Sequence, residues 1–370
     1  MLLCFGTRPE AIKMGPLYHQ LKKQDNFEVE ICVTAQHREM LDQVLDFFKI
    51  VPDYDLHVMQ VNQTLNGLSS QILFKMDAVL NDAKPDLVLV HGDTTTSSMV
   101  ALAAFHKNIK VGHVEAGLRT YNKQSPFPEE LNRQLTGRIA DFHFAPTLKA
   151  NQNLLEEGIN KSNIVVTGNT VIDALMFTLE KLEVGFTNET IENLKNKINF
   201  NKKVILITAH RRESFGEGFE NICKAILQIA LNKELELVYP VHLNPNVKET
   251  VFEMLSGIEN IHLIAPIDYP SFVWLMSKSS LIISDSGGIQ EEAPFFNIPV
   301  LVTRKTTERD EGIQAGFSYL VGTDTAKIVH TAIELLDTKL SGEFNLNPYG
   351  DGRACEKIID FIKRMCSEKK

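Results

Sequence analysis

Apolar residues in this chain fall into short continuous runs, separated by longer stretches in which they recur every three or four positions. The runs of the first half are Leu2–Phe5, Val29–Thr34, Leu87–His91, Val111–Glu115, Phe142–Ala145 and Ile164–Thr167. Those of the second half are Val204–Thr208, Leu235–Val241, His262–Ala265, Leu281–Ser284, Val300–Thr303 and Tyr319–Val321. Short runs without alternation predict strands buried on both faces. Between them, stretches such as Arg38–Lys49, Thr64–Asn81, Phe219–Leu231 and Lys327–Leu336 carry helical spacing. Strand, helix, strand, repeated throughout, predicts an α/β protein with parallel sheets covered by helices. The polar segment Leu182–Lys203, rich in Asn, Glu and Lys, separates the two series. The pattern therefore reads as two doubly wound domains, over residues 1–172 and 173–350, with the expected site in the cleft between them. A terminal helix over 351–370 follows, and the pattern leaves its docking open.

In such folds ligands bind beyond the carboxyl ends of the strands, so the residues that follow each run carry the chemical information. Leu281-Ile-Ile-Ser-Asp-Ser-Gly-Gly-Ile-Gln-Glu-Glu292 is the most telling of these. It reads as a strand, a tight loop and a helix N-terminus, where unpaired N–H groups favour an anion. Gly287 and Gly288 let a phosphate approach the backbone, and Ser286 adds a hydroxyl. No Lys follows the glycines, so this is not the P-loop of a nucleotide hydrolase. Glu292 stands one turn in, where a carboxylate suits the hydroxyl pair of a ribose. An ordinary strand-to-helix turn has the same residue types; the other strand ends decide between the readings.

After the first run, Gly6-Thr7-Arg8-Pro9-Glu10-Ala11-Ile12-Lys13 offers Arg8 and Lys13 for phosphate charge. Asp93 follows the third run, where helix capping by an aspartate is the alternative explanation. Glu115 ends the fourth run just before a glycine turn, a position that packing explains poorly. Glu129 and Glu130 fall in the first turn of a helix that starts near Pro128, and adjacent residues point about 100° apart, so one of them faces the cleft. Arg133, four residues after Glu129, is placed to orient it. His210 ends the first run of the second series and precedes two arginines, and Arg309 follows the run at Val300–Thr303. Carboxylates, a histidine and cations at strand ends of both domains point to acid/base chemistry on a phosphorylated ligand.

Composition narrows the classes. At 370 residues, 44% hydrophobic and 23% charged, the chain has the make-up of a globular protein with two domains of ordinary size. A net charge of −9 gives no support for nucleic-acid or membrane partners. No apolar run approaches the roughly 20 residues a membrane helix needs, and no basic leader precedes the first strand, so the expected location is cytoplasmic. The five cysteines form no C-x-x-C pair and the 11 histidines no H-E-x-x-H, which predicts no metal site. The lack of G-x-G-x-x-G argues against a dinucleotide cofactor. No cofactor is expected.

Read together, the strand ends resemble the bacterial non-hydrolysing UDP-N-acetylglucosamine 2-epimerase family. The matching stretches are Phe5-Gly-Thr-Arg-Pro-Glu-Ala-Ile-Lys-Met14, Val90-His-Gly-Asp-Thr-Thr95, Gly112-His-Val-Glu-Ala-Gly-Leu-Arg119 and Pro126-Phe-Pro-Glu-Glu-Leu-Asn-Arg133. They continue with Val166-Thr-Gly-Asn-Thr170, Thr208-Ala-His-Arg-Arg-Glu213, Asp285-Ser-Gly-Gly-Ile-Gln-Glu-Glu-Ala293, Thr306-Thr-Glu-Arg309 and Asn347-Pro-Tyr-Gly-Asp-Gly352, in order along nearly the whole chain. The resemblance implies an α/β fold of two doubly wound Rossmann-like domains around a deep cleft, GT-B-like, as in nucleotide-sugar glycosyltransferases. It implies reversible conversion of UDP-N-acetylglucosamine to UDP-N-acetylmannosamine by elimination and re-addition of UDP through 2-acetamidoglucal, supplying surface polysaccharide synthesis, by a homodimer.

Carried over by motif, Asp93, Glu115, Glu129 and His210 form the acid/base and leaving-group set. Arg8, Lys13, Ser286, Gly287, Gly288, Glu292 and Arg309 bind UDP, with Phe272 near the uracil; Ile267 stands where some relatives have Gln. Gln36, Gln63, Arg211, Glu213 and His242 match a regulatory site for a second UDP-sugar, which Asn62, in place of an Arg, weakens. The alternatives are a hydrolysing epimerase that releases N-acetylmannosamine and UDP, a UDP-sugar glycosyltransferase, and a non-catalytic nucleotide-sugar sensor.

Overall fold

The computed structural model of the protein describes residues 1–35, 38–59, 63–211, 215–337 and 347–367, without the side chains of residues 38, 39 and 366. The chain divides into two compact units, Met1–Phe177 together with Tyr349–Lys370, and Thr178–Pro348.

In the first unit the order is β1 (Leu2–Phe5), α1 (Arg8–Lys22), β2 (Glu30–Val33), α2 (Arg38–Phe48), β3 (Tyr54–Asp55), α3 (Leu65–Ala83), β4 (Leu87–His91) and α4 (Thr95–His106). It continues with β5 (Lys110–Val114), α5 (Glu129–Ile139), β6 (Phe142–Ala145), α6 (Leu148–Glu156), β7 (Ile164–Val166) and α7 (Thr170–Glu183). The seven strands form one sheet, β3-β2-β1-β4-β5-β6-β7, with every pairing parallel. Leu2, Cys4, Val88 and Val90 bury one face of its centre against Leu68, Ile72 and Met76 of α3 and Val100 of α4. The two-residue β3 has no counterpart in the apolar runs, because a strand that short carries no period.

The second unit runs α8 (Glu189–Lys197), β8 (Lys203–Thr208), α9 (Glu217–Ile229), β9 (Leu235–Pro240), α10 (Pro245–Leu255), β10 (Ile261–Ile264), α11 (Tyr269–Ser277) and β11 (Leu281–Ser284). Then come α12 (Gly287–Glu292), continued by a 3-10 turn over Ala293–Phe296, β12 (Val300–Val302), α13 (Asp310–Gln314), β13 (Ser318–Leu320) and α14 (Thr325–Asp337). Its six parallel strands are ordered β10-β9-β8-β11-β12-β13. Along β8, Ile205 and Ile207 face a cluster with α9 and α14, while Val204 and Leu206 face one with α8 and α11. A strand with apolar partners on both sides needs apolar residues at every position, which is what the unbroken runs encode.

Each sheet reverses its winding once, at β1/β4 in the first unit and at β8/β11 in the second. Those reversals open crevices at the carboxyl ends of the strands. They are where Gly6-Thr7-Arg8 and Gly92-Asp93 lie in one unit, and Ala209-His210 and Asp285-Ser286 in the other.

The division between units falls inside α7, after Phe177, and the chain returns to the first unit at Tyr349 to form α15 (Ala354–Ser367). The return is firmly attached. Tyr349 accepts a bond from the Asn169 N–H at 2.7 Å, and the ideal Cβ of an alanine at Gly168, φ 88°, would stand 3.1 Å from the Gly350 Cα. Asp173 of α7, buried, accepts the N–H groups of Ala354 at 3.2 Å and Cys355 at 2.9 Å, so it caps α15 from another helix. Phe361 then sets its ring edge-on against Phe142 and Phe144 of β6. Removing the Asp173 carboxylate leaves two buried donors without a partner. Asp173→Ala should lower stability by about 1–3 kcal/mol and make α15 the first segment released by limited proteolysis. An unchanged melting temperature and cleavage pattern would show that the apolar face of α15 holds it unaided.

Candidate active site

Glu10, in the first turn of α1, is buried and saturated with donors. One carboxylate oxygen takes the N–H groups of Gly6 at 3.0 Å and Thr7 at 2.8 Å and the Thr7 hydroxyl at 2.8 Å. The other takes the hydroxyls of Thr94 at 2.7 Å and Ser97 at 3.1 Å. The loop after β1 is thereby tied to the loop after β4. Burial holds the Glu10 carboxyl above the usual range despite these donors.

One turn further along α1, the Lys13 ammonium reaches Glu115, whose Oε2 also accepts from the Asn169 amide at 3.0 Å. His91 Nε2 lies 3.8 Å from the same oxygen, and burial keeps that imidazole neutral, its pKa pushed down to about 4. Glu115 itself sits in the left-handed region, φ 62°. For a residue with a side chain that conformation costs on the order of 1–3 kcal/mol, and strain of this kind collects at functional sites. It turns the carboxylate back over the strand ends beside Gly92: an added Cβ there would stand 3.5 Å from Glu115 Oε1.

Asp93, after β4, pairs with Arg133 at 2.5 Å, and its carbonyl receives the Asn132 amide at 2.9 Å. Arg133 also bonds Glu130 at 3.2 Å. Glu130 is fully buried and accepts from the Thr120 and Tyr121 N–H groups, both at 3.0 Å, and from the Gln134 amide at 2.9 Å. Burial pushes its carboxyl up, but these donors and Arg133 together outweigh it and leave the group below its ordinary value. Glu129, next to it, is half-buried.

In the second unit, Asp285 is fully buried behind the loop after β8. Its Oδ2 accepts the N–H groups of His210 and Arg211, each at 2.7 Å, and its Oδ1 lies 3.5 Å from His210 Nδ1. Burial lowers the pKa of His210 in spite of the Asp285 charge, and the ring stacks on His242 with centroids 5.0 Å apart and planes 7° from parallel. Across the same sheet end, Arg309 bonds Glu291 at 3.0 Å and also reaches Glu308. Glu308 in turn binds Arg304 at 2.9 Å; burial opposes its ionisation, but the two guanidinium groups bring its pKa down to about 2. The Arg309 guanidinium lies directly over the first turn of α12: a Cβ on Gly287 would come within 2.9 Å of its Cζ. Only a glycine leaves room for it. Ser286, Gly287, Gly288, Glu292 and Arg309 are thus gathered at one strand end, a cation above a turn of backbone donors.

A family model for UDP-N-acetylglucosamine 2-epimerase matches residues 19–363. The chain is 54% identical over 372 residues to the UDP-N-acetylglucosamine 2-epimerase of Campylobacter jejuni, covering 98% of this chain and 97% of that protein. The chain belongs to the UDP-N-acetylglucosamine 2-epimerase family. Its structure is similar to that of the Neisseria meningitidis UDP-GlcNAc 2-epimerase bound to UDP-GlcNAc, with TM-score 0.92 and 51% identity, covering 98% of this chain and 99% of the other. It is also similar to that of the Methanocaldococcus jannaschii UDP-GlcNAc 2-epimerase in complex with UDP-GlcNAc and UDP, with TM-score 0.83 and 33% identity, covering 98% and 99%.

In this member of the epimerase family one sequence expectation changes. Arg133 does not orient Glu129: at three residues' spacing it bonds the buried Glu130, and its other nitrogen goes to Asp93. Lys13, a candidate phosphate cation, has its ammonium beside Glu115. Arg8 opens α1 at the β1/β4 crevice. Phe272, on α11, is half-buried against the apolar cluster that includes Ile267. Gln63 donates to the Val58 carbonyl at 2.7 Å. Gln36, Asn62 and Glu213 lie outside the described residues.

Sequence reasoning passed over Asp285, Asn169 and Glu10. Asp285 and Asn169 stand within matched motifs directly after strands, a signal that was present, but capping and turn roles hid them. No helix among the described residues is long and apolar enough to cross a membrane.

The donors on Glu130 give a testable pH dependence. A carboxyl lowered in the folded state contributes stability above the ordinary carboxylate pKa, about 4.3, and loses it as pH falls through the folded value. Glu130→Gln should therefore cost about 1–3 kcal/mol at pH 7, with the gap to the parent narrowing below about pH 4. Denaturant titrations at both pH values check this. A gap of equal size at both would mean that the charge is not what holds the Thr120–Tyr121 turn.

Proposed function

We propose that this protein interconverts UDP-N-acetylglucosamine and UDP-N-acetylmannosamine by eliminating UDP across C1–C2 and adding it back to 2-acetamidoglucal. The supporting observation is the Glu115 carboxylate, held in a left-handed backbone conformation at a strand end and met there by Lys13 and Asn169. A side chain kept in so costly a conformation suits a group whose position matters to a reaction.

The chemistry follows from the substrate. The C2 hydrogen of a sugar is not acidic while C1 keeps its leaving group. As the C1–O bond weakens, its electron pair goes to the diphosphate and positive charge grows at C1, which acidifies C2–H. A carboxylate then takes the proton, and the C2–H pair becomes the C1=C2 bond. In the return step a diphosphate oxygen attacks C1 and a proton is delivered to the other face of C2.

The leaving diphosphate needs cations and backbone donors, which Arg309, Ser286, Gly287 and Gly288 supply in this reading, with Arg8 beside them in role and Glu292 on the ribose. Asp93, Glu115 and Glu129 share the proton transfers, and His210 assists the leaving group. Release of the glucal to water, as in a hydrolysing epimerase, would yield free amino sugar, and an assay for N-acetylmannosamine separates that alternative.

Incubation with UDP-N-acetylglucosamine in D2O should give UDP-N-acetylmannosamine carrying deuterium at C2 by NMR. Product with full protium at C2 would sink the elimination route. In the same assay Glu115→Gln should lose on the order of 10²–10⁴-fold in rate while keeping its affinity for UDP. Turnover within a few-fold of the parent would make Glu115 structural.

The proposal extends to regulation. The His242 ring lies flat on that of His210, so a second UDP-sugar engaging Arg211 and His242 acts directly on a catalytic ring. The reverse reaction with purified UDP-N-acetylmannosamine should then start slowly and accelerate on adding traces of UDP-N-acetylglucosamine. Full initial rate without the addition would remove the second site.

A further inference from the structure

We propose that Asn169 is the positioning residue that holds the Glu115 carboxylate by its Oε2 oxygen and sets its direction for proton transfer. The inference rests on the acid/base role assigned to Glu115 above.

Asn169 is 2% exposed, and its four polar groups are all engaged. Its N–H donates to the Tyr349 carbonyl at 2.7 Å, and its carbonyl receives the Ile172 N–H at 3.1 Å. Its side-chain Oδ1 accepts the Val171 N–H at 3.0 Å, which caps the start of α7. That bond settles the orientation of the amide. With Oδ1 committed to a backbone donor, the group 3.0 Å from Glu115 is the NH2, a donor only.

Glu115 Oε2 therefore receives the Asn169 amide and the Lys13 ammonium together. A proton on that oxygen would oppose two donors, and the other oxygen, Oε1, lies on the Gly92 side. Two further groups bear on the carboxylate. His91 comes from β4, with Nε2 at 3.8 Å from Oε2, buried and without a hydrogen bond among the described residues. Asp93 lies in the loop beyond it. A neutral His91 adds no charge; among the described residues Lys13 brings a cation to Oε2 and Asn169 a fixed neutral donor. An ammonium on a flexible stem sets charge; a planar amide locked at its other end sets direction.

This device also explains why the returning segment matters to chemistry. The loop that presents Asn169 is held from behind by Tyr349 and by the close approach of Gly168 to Gly350.

Asn169→Asp is the decisive variant. It keeps an oxygen for the Val171 N–H, so the cap survives, but it replaces the donor by a second carboxylate about 3 Å from Glu115. Two carboxylates that close share a proton, and the apparent pKa of the pair rises. The acid limb of the kcat profile should move to higher pH by about one unit or more, and kcat at pH 7 should fall at least about 10-fold, with KM changed far less. Asn169→Ser, which also keeps a cap but adds no charge, should lower kcat without that upward move. A pH profile unmoved in Asn169→Asp, or equal losses in both variants with unmoved limbs, overturns the proposal and leaves Asn169 a helix cap alone.

A readout independent of turnover keeps the two readings apart. Infrared difference titration of protein labelled with 13C-glutamate, against Glu115→Gln, reports the Glu115 carboxyl directly, and its pKa should be higher in Asn169→Asp. If the parent protein fails to turn over UDP-N-acetylglucosamine, the proposed function fails, while the titration still decides the positioning role.

Discussion

Buried carboxylates that accept backbone N–H groups from a neighbouring loop hold the strand ends of this protein in place. Glu10 takes Gly6 and Thr7, Glu130 takes Thr120 and Tyr121, and Asp285 takes His210 and Arg211. A charge removed from water is costly unless several donors replace the lost hydration. Loops at sheet ends are the complementary case, since their backbone donors lack the partners that a strand or helix supplies. Each carboxylate solves both problems at once, and each can do so only when its loop has one particular shape. The loops at these strand ends are fixed in shape for that reason.

The carboxylates assigned to catalysis are placed differently. Asp93 and Glu115 meet the ends of long side chains, Arg133 and Lys13, and Glu129 is only half-buried at the start of α5. A cation on a flexible stem can follow a change of charge during a reaction, whereas a backbone N–H cannot withdraw. Neighbouring Glu129 and Glu130 illustrate the division: the rotation of about 100° between them sends the second into the interior to hold a loop and leaves the first half-buried.

The fold was legible because strands buried on both faces must be apolar throughout, and runs such as Val204–Thr208 and Leu281–Ser284 carry no competing pattern. The positions of Arg8, Asp93, His210 and Ser286 at the two winding reversals were legible too, since they follow strands directly. Partnerships were not. Arg133 lies at helical spacing from both Glu129 and Glu130, and only the burial of Glu130 chooses between them. Asn169 and Asp285 are typical capping residues, and their second bond, to a side chain or loop far away in sequence, leaves no local trace. The docking of α15 was invisible for the same reason: its anchor, Asp173, is far from Ala354 in sequence and becomes a cap only in the folded unit.

Because α15 belongs to the first unit but follows the second along the chain, the order of synthesis and the order of completion differ. The segment Thr178–Pro348 leaves the ribosome whole and can close its own sheet while the first unit still lacks its last helix. Until Tyr349 arrives, the loop at Asn169 has no backing, and Glu115 lacks its fixed donor. If Glu115 has the acid/base role proposed for it, that centre is completed only when the segment from Tyr349 onward docks on the first unit.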